Sequence, residues 1–317
     1  IANGDWSSDV CSSDLKTGRR KMEKRMNILV LGGTGFFGKH LVWELLHRGH
    51  EVTIATRGRT PDDFGDRVRR LIVDRTDARQ MEQVFAHKYY DVFYDDLAYC
   101  AGDVRTVLEA VPCRRYVMVS SASVYNLHFQ TVETDYEPEH DRLVWYTDYS
   151  GSYDVLKKSA ECALVQQYPM KNAAFVRFPY VIGRDDYTDR LYFYVEHVVR
   201  QKPMYIDNMD AQMSFISVDD AGRLLAHLGG DEIQGAVNGA SRGTISPREI
   251  LTYVYRRTGK EAFLDETGDP APYNGTPGYS INTERAGRTG FVFSNLKDWI
   301  YELLDFYIER AAEEMRK

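Results

Sequence analysis

Apolar and polar positions alternate along the first half of the chain in blocks that predict strands and helices in turn. Short, continuously apolar runs are typical of buried parallel strands, and the segments between them carry apolar residues at helical spacing. Strands are predicted over residues 28–31, 51–55, 70–73, 91–94, 115–120 and 174–178. Helices are predicted directly after the first strand and over residues 78–86, 103–110 and 152–167. This alternation predicts an α/β fold with a doubly wound parallel sheet and right-handed crossovers.

Beyond Pro179 the pattern is less regular. It predicts a helix over 187–201, a short strand over 213–218, a helix from Asp219 and a final amphipathic helix over 296–314. Ser246, Pro247 and Glu249 have the spacing of an N-cap, a first-turn proline and a capping box, so they predict a helix start. Residues 267–278 are rich in Gly and Pro and are predicted to form an exposed loop. The C-terminal third is therefore predicted to be a smaller, mixed region that covers a substrate.

Three glycines follow the first predicted strand and lead into a helix. Gly32 allows a tight turn, Gly35 lets the backbone approach a pyrophosphate, and Gly38 lets the helix pack close to the sheet. The free N–H groups and the positive end of the helix dipole then face the anion. The combination predicts a dinucleotide site in a Rossmann-type fold. The cofactor-binding residues predicted in this segment are Gly32, Thr34, Gly35, Phe36, Phe37 and Gly38.

The first residues are set aside as a non-native leader. Residues 5–15 match one reading frame of a common sequencing adapter, so we expect residues 1–25 to be foreign and the natural protein to start at Met26 or Met22. The remaining chain is predicted to hold an NAD(P)-binding domain over 26–180, with residues 215–240 returning to it. Residues 181–214 and 241–317 are predicted to form the substrate-binding region.

Composition limits the partners. No apolar run approaches the roughly 20 residues that span a bilayer, so we expect no membrane helix. The formal net charge of −7 argues against a nucleic-acid partner, because such binding requires Lys and Arg to neutralise phosphates. The cysteines show no paired short spacing, which argues against disulfides or a zinc site and favours the reducing cytoplasm. They are Cys11, Cys100, Cys113 and Cys162. The histidines form no metal-binding pattern, and no metal is expected.

Candidate catalytic residues lie directly after the fifth predicted strand and on the helix predicted over 152–167. Ser121 belongs to a Ser-Ser-x-x-Val-Tyr segment after the fifth strand, and Tyr153 and Lys157 lie four apart on one face of a helix. Residues 175–183 add a strand-to-loop segment that contains Arg and Pro. In this order, and with the glycine triplet, the motifs resemble the extended short-chain dehydrogenase/reductase superfamily, the NAD-dependent epimerase/dehydratase family. The resemblance covers residues 26 to about 310.

The resemblance implies roles for these side chains. Tyr153 would act as general acid/base on a substrate hydroxyl or carbonyl oxygen, and Ser121 would hydrogen-bond the same oxygen. A free phenol has a pKa near about 10, which is too high for a base at neutral pH. The positive charge of Lys157 would favour the phenolate, and its ammonium would also hold the ribose hydroxyls of the cofactor. The alternative is that Tyr153 and Lys157 are an ordinary exposed helix pair.

The end of the second predicted strand bears on cofactor choice. An NAD-preferring enzyme usually places Asp or Glu there, but this chain has Thr56, followed by Arg57 and Arg59. Guanidinium groups suit a 2′-phosphate, so NADP(H) is favoured over NAD(H), unless these arginines are only solvated loop charges. The remaining cofactor-binding residues predicted from the family positions are Asp74, Leu97, Ala98 and Phe178, together with Tyr153 and Lys157.

The sequence thus predicts an NAD(P)-dependent oxidoreductase, epimerase or dehydratase acting on a hydroxyl or ketone of a nucleotide sugar or related small molecule. The alternative is a non-catalytic nucleotide-binding or RNA-binding relative, because residues 178–204 are similar to the atypical branch that includes chloroplast stem-loop RNA-binding proteins. Residues 145–149 form an aromatic stretch that is either a substrate lid or a packed loop.

Two further expectations concern partners. Three arginines, Arg177, Arg184 and Arg242, either meet a substrate diphosphate or serve as surface or ion-pair residues. The resemblance implies a homodimer built on the helices predicted over 103–110 and 152–167, although the apolar faces of those helices also have the sheet to pack against.

Overall fold

The computed structural model describes residues 24–316, so the leader predicted over 1–25 lies almost wholly outside the described residues. Its main feature is a parallel sheet of seven strands. These strands are β1 (Asn27–Leu31), β2 (Glu51–Thr56), β3 (Val68–Ile72), β4 (Tyr90–Asp95), β5 (Cys113–Ser121), β6 (Ala173–Phe178) and β10 (Gly235–Asn238). The order across the sheet is β10-β6-β5-β4-β1-β2-β3. The chain therefore adds β2 and β3 on one side of β1 and adds β4 and the later strands on the other side, so the strand order reverses between β1 and β4.

Helices cover both faces of this sheet. The α-helices of the described residues are α1 (Phe36–His47), α2 (Ala78–Phe85), α3 (Ala101–Ala110), α4 (Tyr153–Gln167), α5 (Arg190–Arg200), α6 (Val218–Gly230), α7 (Pro247–Thr258), α8 (Glu284–Gly287) and α9 (Leu296–Glu314). The apolar faces of α1 and α6 pack on one side of the sheet, and those of α2, α3 and α4 pack on the other. The predicted Rossmann-type doubly wound sheet is confirmed.

The C-terminal region has an apolar core of its own. This core joins α5, α7 and α9 through large buried side chains such as Tyr194 and Tyr307. Short strand pairs complete the region: β7 (Tyr180–Ile182) with β9 (Phe215–Ser217), and β8 (Met204–Tyr205) with β11 (Asp269–Pro270). Because this region stands beside the carboxyl ends of the main strands, a cavity forms between the two cores.

Several predicted elements are confirmed closely. The final helix has the predicted bounds, and α4 begins directly after Ser152, its N-cap. The capping box of α7 is also present: the Ser246 hydroxyl accepts the Glu249 N–H at 3.3 Å, and the Glu249 carboxylate accepts the Ser246 N–H at 3.0 Å. Local capping chemistry fixes these ends, so the sequence alone could locate them. Within residues 24–316, no helix has both the length and the apolar character needed to cross a membrane.

Other predicted bounds are wrong. The helix predicted over 187–201 begins only at Arg190, because Asp189 takes a left-handed conformation with φ 51° and breaks the helical path before it. The segment 267–278 is not simply an exposed loop: β11 pairs with β8, and Ala271 and Tyr273 are buried. The strand predicted over 213–218 is shorter, and β3 begins two residues earlier than predicted and ends one residue earlier.

Candidate active site

The loop after β1 is shaped as a cradle for an anion. Gly32 and Gly33 have φ values of 104° and 82°, a region that residues with a Cβ rarely adopt. The Gly32 N–H donates to the Ala55 carbonyl at 2.9 Å, which ties the loop to the end of β2. Gly35 caps α1 in an extended conformation, and the first turn of α1 carries no acidic residue. The N-terminal N–H groups of α1 are therefore available to an anion.

A cavity of about 1060 Å³ opens above this loop, at the carboxyl ends of the parallel strands. Such a volume is at the upper end of the roughly 300–1,000 Å³ typical of small-molecule sites. The predicted site residues that line it are Gly32, Thr34, Gly35, Phe36, Phe37, Thr56, Arg57, Arg59, Asp74, Leu97, Ser121, Tyr153, Lys157 and Phe178. The fold thus brings residues from seven separated segments of the chain to one cavity.

Two predicted cofactor residues do not line the cavity. Gly38 lies beneath the loop, where an added Cβ would overlap the carboxylate of Asp96 and would lie 3.2 Å from the Gly33 Cα. Its role is therefore close packing, as the sequence predicts for the third glycine. Ala98 is buried, and its carbonyl accepts a hydrogen bond from Lys157. Ala98 contributes to the site through its backbone.

Lys157 is held in place by the backbone. Its side chain is buried, and the ammonium donates to the carbonyls of Ala98 at 2.7 Å and Val119 at 3.1 Å. These carbonyls follow β4 and belong to β5, so the ammonium is fixed between two strand ends. An ammonium has three hydrogens, and these two bonds leave one for another acceptor. This geometry contradicts the alternative of an exposed helix pair, since the lysine is an inward-facing cation.

Tyr153 is the first residue of α4 and lines the cavity with a half-exposed side chain. The Lys157 ammonium lies 5.7 Å from the centre of the Tyr153 ring and 4.8 Å from that of Tyr99. Ser121 ends β5, and its hydroxyl accepts the Ser123 N–H at 3.1 Å. The predicted phenol, ammonium and hydroxyl therefore belong to side chains that line the same cavity.

The opposite end of the cavity is basic. Arg57 and Arg59 follow β2 and both line the cavity. The pKa of Asp74 is lowered, mainly by the hydrogen bonds from the Thr76 N–H and hydroxyl and further by the charges of Arg57 and Arg59. The Thr56 hydroxyl accepts the Gly58 N–H at 3.1 Å and shapes this turn. No acidic residue occupies the strand end itself.

Sequence reasoning missed several cavity residues. Asp96, Tyr99, Tyr187 and Arg190 line the cavity but carry no motif. The Tyr187 ring packs against the ring of Phe36 in the glycine loop, with 5.7 Å between the ring centroids. A signal for Asp96 did exist, because an acidic pair directly after an apolar strand is unusual in a buried parallel sheet. No sequence pattern indicates Arg190, because its position at the cavity depends on how the C-terminal region folds.

The three arginines that the sequence offers for a substrate diphosphate do not line this cavity. Arg177 is wholly buried and forms an ion pair with Glu161 at 2.6 Å. Arg184 lies over the Phe306 ring at 5.1 Å, and Arg242 lines a separate cavity of about 580 Å³. The main cavity instead receives Arg190, whose guanidinium lies 5.6 Å from the Tyr180 ring. Within residues 24–316, Arg190 takes part in no ion pair.

The aromatic stretch 145–149 contributes to the cavity wall through one member. Tyr149 lines the cavity, contacts the Tyr99 ring at 5.7 Å between centroids, and donates its hydroxyl to Asp103 at 3.2 Å. Trp145 instead lies under the Arg105 guanidinium, 4.8 Å from it. The stretch thus contacts α3 through Trp145 and presents Tyr149 to the cavity, and most of its side chains are exposed.

Comparison with known proteins agrees with this arrangement. Residues 28–106 match the model of the NAD dependent epimerase/dehydratase family. A chloroplast stem-loop binding protein of 41 kDa from Arabidopsis thaliana is 35% identical over 112 residues, which are 31% of this chain and 30% of that protein. A 2′-dehydrokanamycin reductase from Streptomyces kanamyceticus is 24% identical over 242 residues, 75% of this chain and 68% of the reductase. The chain thus matches under a third of the length of the first of these relatives.

Solved structures share the whole fold. A UDP-glucuronic acid 4-epimerase from Bacillus cereus, solved in complex with NAD, superposes with a TM-score of 0.67 at 18% identity, covering 88% of this chain and 96% of the epimerase. The superposition extends beyond the segment that matches the family model, so the C-terminal region shares the fold as well. The glycine loop, the order of the strands and the placement of Tyr153 and Lys157 agree with the resemblance: residues 28–106 match the family model, and the solved epimerase shares the fold.

Proposed function

We propose that this protein is an NAD(P)-dependent oxidoreductase, epimerase or dehydratase acting on a hydroxyl or ketone of a nucleotide sugar or related small molecule. The observation that carries the proposal is a single cavity lined by the glycine loop at one wall and by Ser121, Tyr153 and Lys157 at another. The reductase and epimerase relatives support the same class of reaction. Epimerisation, dehydration and reduction share an initial hydride and proton transfer, so the site residues serve all three.

The residues present fit a nicotinamide dinucleotide. A Cβ at Gly35 would meet no atom within 4 Å, so this glycine leaves open cavity beside the N-terminus of α1. The glycine loop would hold the diphosphate, and the free hydrogen of the Lys157 ammonium would hold a ribose hydroxyl. When bound, the nicotinamide ring supplies the hydride chemistry. Thr56, Asp74, Leu97 and Phe178 would line the groove between the two ends.

Tyr153 would exchange the proton with the substrate oxygen. The Lys157 ammonium lies 5.7 Å from the centre of the Tyr153 ring, so a positive charge stands beside the phenol. The Ser121 hydroxyl would hydrogen-bond the same oxygen and orient it. Titration of the purified protein with NADPH and NADH, followed by a screen of nucleotide sugars for cofactor turnover, tests the proposal. Failure to bind either dinucleotide would refute it.

NADP(H) is proposed as the favoured cofactor because the guanidiniums of Arg57 and Arg59 line the cavity where an NAD-preferring site has an acid. Replacing both with alanine is expected to raise the Kd for NADPH about tenfold or more, since hydrogen bonds to charged groups contribute about 1.5–3 kcal/mol. The Kd for NADH should change little. Arg69→Ala, an exposed arginine on β3 outside the cavity, is the matched control. Equal losses for NADPH and NADH in the double variant would contradict the assignment.

Arg190 is proposed to bind an anionic group of the substrate, such as a diphosphate. Arg190→Gln is expected to raise KM for an anionic substrate about 10–100-fold with little change in kcat, because an interaction present in both ground and transition states is lost. Arg256→Gln, an exposed arginine on α7 outside the cavity, serves as control. A fall in kcat at unchanged KM would rule out this binding role.

A non-catalytic function is the second candidate, favoured by the match to the chloroplast stem-loop binding protein. Against it stand the acidic net charge of −7 and the buried Lys157 beside Tyr153. A binding protein has no need of the Tyr153 hydroxyl, whereas turnover requires it. Binding of a stem-loop RNA that survives Tyr153→Phe, in a protein without turnover on any sugar nucleotide, would favour the binding protein.

A homodimer and a cytoplasmic location are also proposed. The resemblance to the superfamily implies a dimer surface built from α3 and α4. In this protein the two helices pack side by side on one face of the sheet. Light scattering that showed a monomer at micromolar concentration would contradict the dimer. Cys100, Cys113 and Cys162 are free thiols, which suits a reducing compartment.

A further inference from the structure

The two acidic residues that end β4 have opposite surroundings. The Asp95 carboxylate forms a bidentate ion pair with Arg75, at 2.7 and 3.1 Å, and accepts the Tyr116 hydroxyl at 2.9 Å. The Asp96 carboxyl has neither kind of partner. Its Oδ1 atom is buried, and within the part of the chain that the structure describes no hydrogen-bond donor or acceptor reaches it. Unsatisfied buried polar atoms are rare in folded proteins, so this atom calls for an explanation.

The Asp96 carboxyl lies directly beneath the anion cradle. Its Oδ2 atom occupies the space that a Cβ on Gly38 would take, and a Cβ on Gly32 would lie 3.5 Å from the same atom. The residue also lines the main cavity. It follows β4 at the point where the strand order reverses between β1 and β4, and ligands of such sheets bind at this point. A carboxyl here lies beside the loop that would hold an anion.

The charged groups around Asp96 come from three segments. Lys157 on α4 and Arg75 after β3 favour its carboxylate, whereas Asp95 on β4 opposes it. Burial outweighs all of them and raises the pKa of Asp96 to about 8. The carboxyl therefore carries its proton at neutral pH. A protonated carboxyl is a hydrogen-bond donor that requires an acceptor, and no group among the described residues bonds to the buried Oδ1 atom.

We propose that Asp96 carries its proton and donates a hydrogen bond to an anionic oxygen of the dinucleotide diphosphate held by the glycine loop. This inference rests on the proposed function. The reason is electrostatic: a carboxylate at this place would repel the diphosphate, whereas a carboxylic acid adds a donor to the N–H groups of the cradle. Above pH 8 the site must therefore take up one proton from solvent when the dinucleotide binds.

The test is a binding titration of the full chain with NADPH and with NADH between pH 7 and 9.5, followed by fluorescence or calorimetry. For the dinucleotide that binds, the Kd of the wild type is expected to rise roughly tenfold per pH unit above pH 8, because only the protonated fraction binds well. Asp96→Asn keeps an uncharged donor, so its Kd at pH 7 should stay near that of the wild type and should not share this rise. The same pH dependence in both proteins, or none in either, would overturn the role of Asp96.

A second measurement needs no variant. At pH 8.5, calorimetric titrations of the wild type in two buffers of different ionisation enthalpy are expected to show uptake of a large fraction of one proton on dinucleotide binding. Binding without proton uptake would overturn the inference while leaving the proposed function intact. Absence of binding to either dinucleotide at every pH would refute both, so the two failures are distinguishable.

Discussion

Replacing Tyr153 with phenylalanine is expected to lower turnover by about 10²–10⁴-fold, the usual contribution of a positioned general acid/base. The substitution removes one hydroxyl and keeps the ring that contacts Tyr99, so the cavity wall retains its shape. NADPH binding should be nearly unchanged, because the glycine loop and Lys157 remain. The measurement is kcat for whichever sugar nucleotide the screen identifies, together with the Kd for NADPH from a direct titration.

The matched control for this variant is Tyr255→Phe. Tyr255 lies on α7 outside the cavity, and its side chain is 46% exposed, close to the 49% of Tyr153. It should leave both kcat and the Kd for NADPH unchanged. Wild-type turnover in Tyr153→Phe would refute the acid/base role. A loss of NADPH binding equal to the loss of turnover would assign Tyr153 to cofactor binding instead.

The half of the chain that forms the main sheet could be predicted from sequence because its signals are local. Inner strands of the main sheet such as β1 and β6 are buried on both faces, so they are written as largely apolar runs. The glycine loop and the helix after it follow at fixed spacing. Parallel strands then bring their carboxyl ends to one edge, which is why Thr56, Asp74 and Ser121 meet in one cavity although they are distant in sequence.

The remaining features depend on pairing between distant segments. The pairing of β11 with β8 and the burial of Tyr273 come from contacts that residues 267–278 do not encode locally. The late start of α5 depends on the left-handed Asp189, whose carboxylate is held by Arg310 of α9 at 2.7 and 3.0 Å. Arg190, the next residue, owes its place in the cavity to the same turn.

Residues of the same type at similar positions in the sequence also differ in their surroundings in the fold, and hence in what they do. Arg177 and Arg190 are both arginines beside strand or helix ends, yet one lies in the core and the other lines the cavity. Asp95 and Asp96 are neighbours, yet one is paired and the other is not. Such differences arise from the partners that each side chain meets across the fold, and one sequence does not reveal those partners.

The second large effect is expected from the buried ion pair that fixes α4 to the sheet. Glu161 and Arg177 are both fully buried, with the Arg177 Nε and Nη2 atoms 3.0 and 2.6 Å from the two carboxylate oxygens of Glu161. Glu161→Ala leaves the guanidinium without a counter-charge in the core. We expect the free energy of unfolding to fall by about 3–5 kcal/mol, measured by chemical denaturation.

The control for this prediction is a pair with the same geometry on the surface. Arg248 and Asp210 are also bidentate, at 2.6 and 2.9 Å, but both side chains are more than half exposed. Asp210→Ala is expected to leave the unfolding midpoint unchanged, because solvent and salt screen an exposed pair. If Glu161→Ala and Asp210→Ala lowered the free energy of unfolding equally, burial would not be the reason for the large effect at Glu161.

Replacing both members of the buried pair separates stability from positioning. Because the desolvation cost of both charges disappears, Glu161→Leu with Arg177→Met is expected to recover much of the stability lost in Glu161→Ala. Catalysis should not recover to the same extent. Glu161 lies on α4 two turns beyond Tyr153, and it also accepts the Ser120 hydroxyl at the end of β5, next to Ser121. The pair therefore fixes the position of α4, which carries Tyr153 and Lys157, against β5. A double variant that folds stably but turns over slowly would show that the two charges serve this alignment.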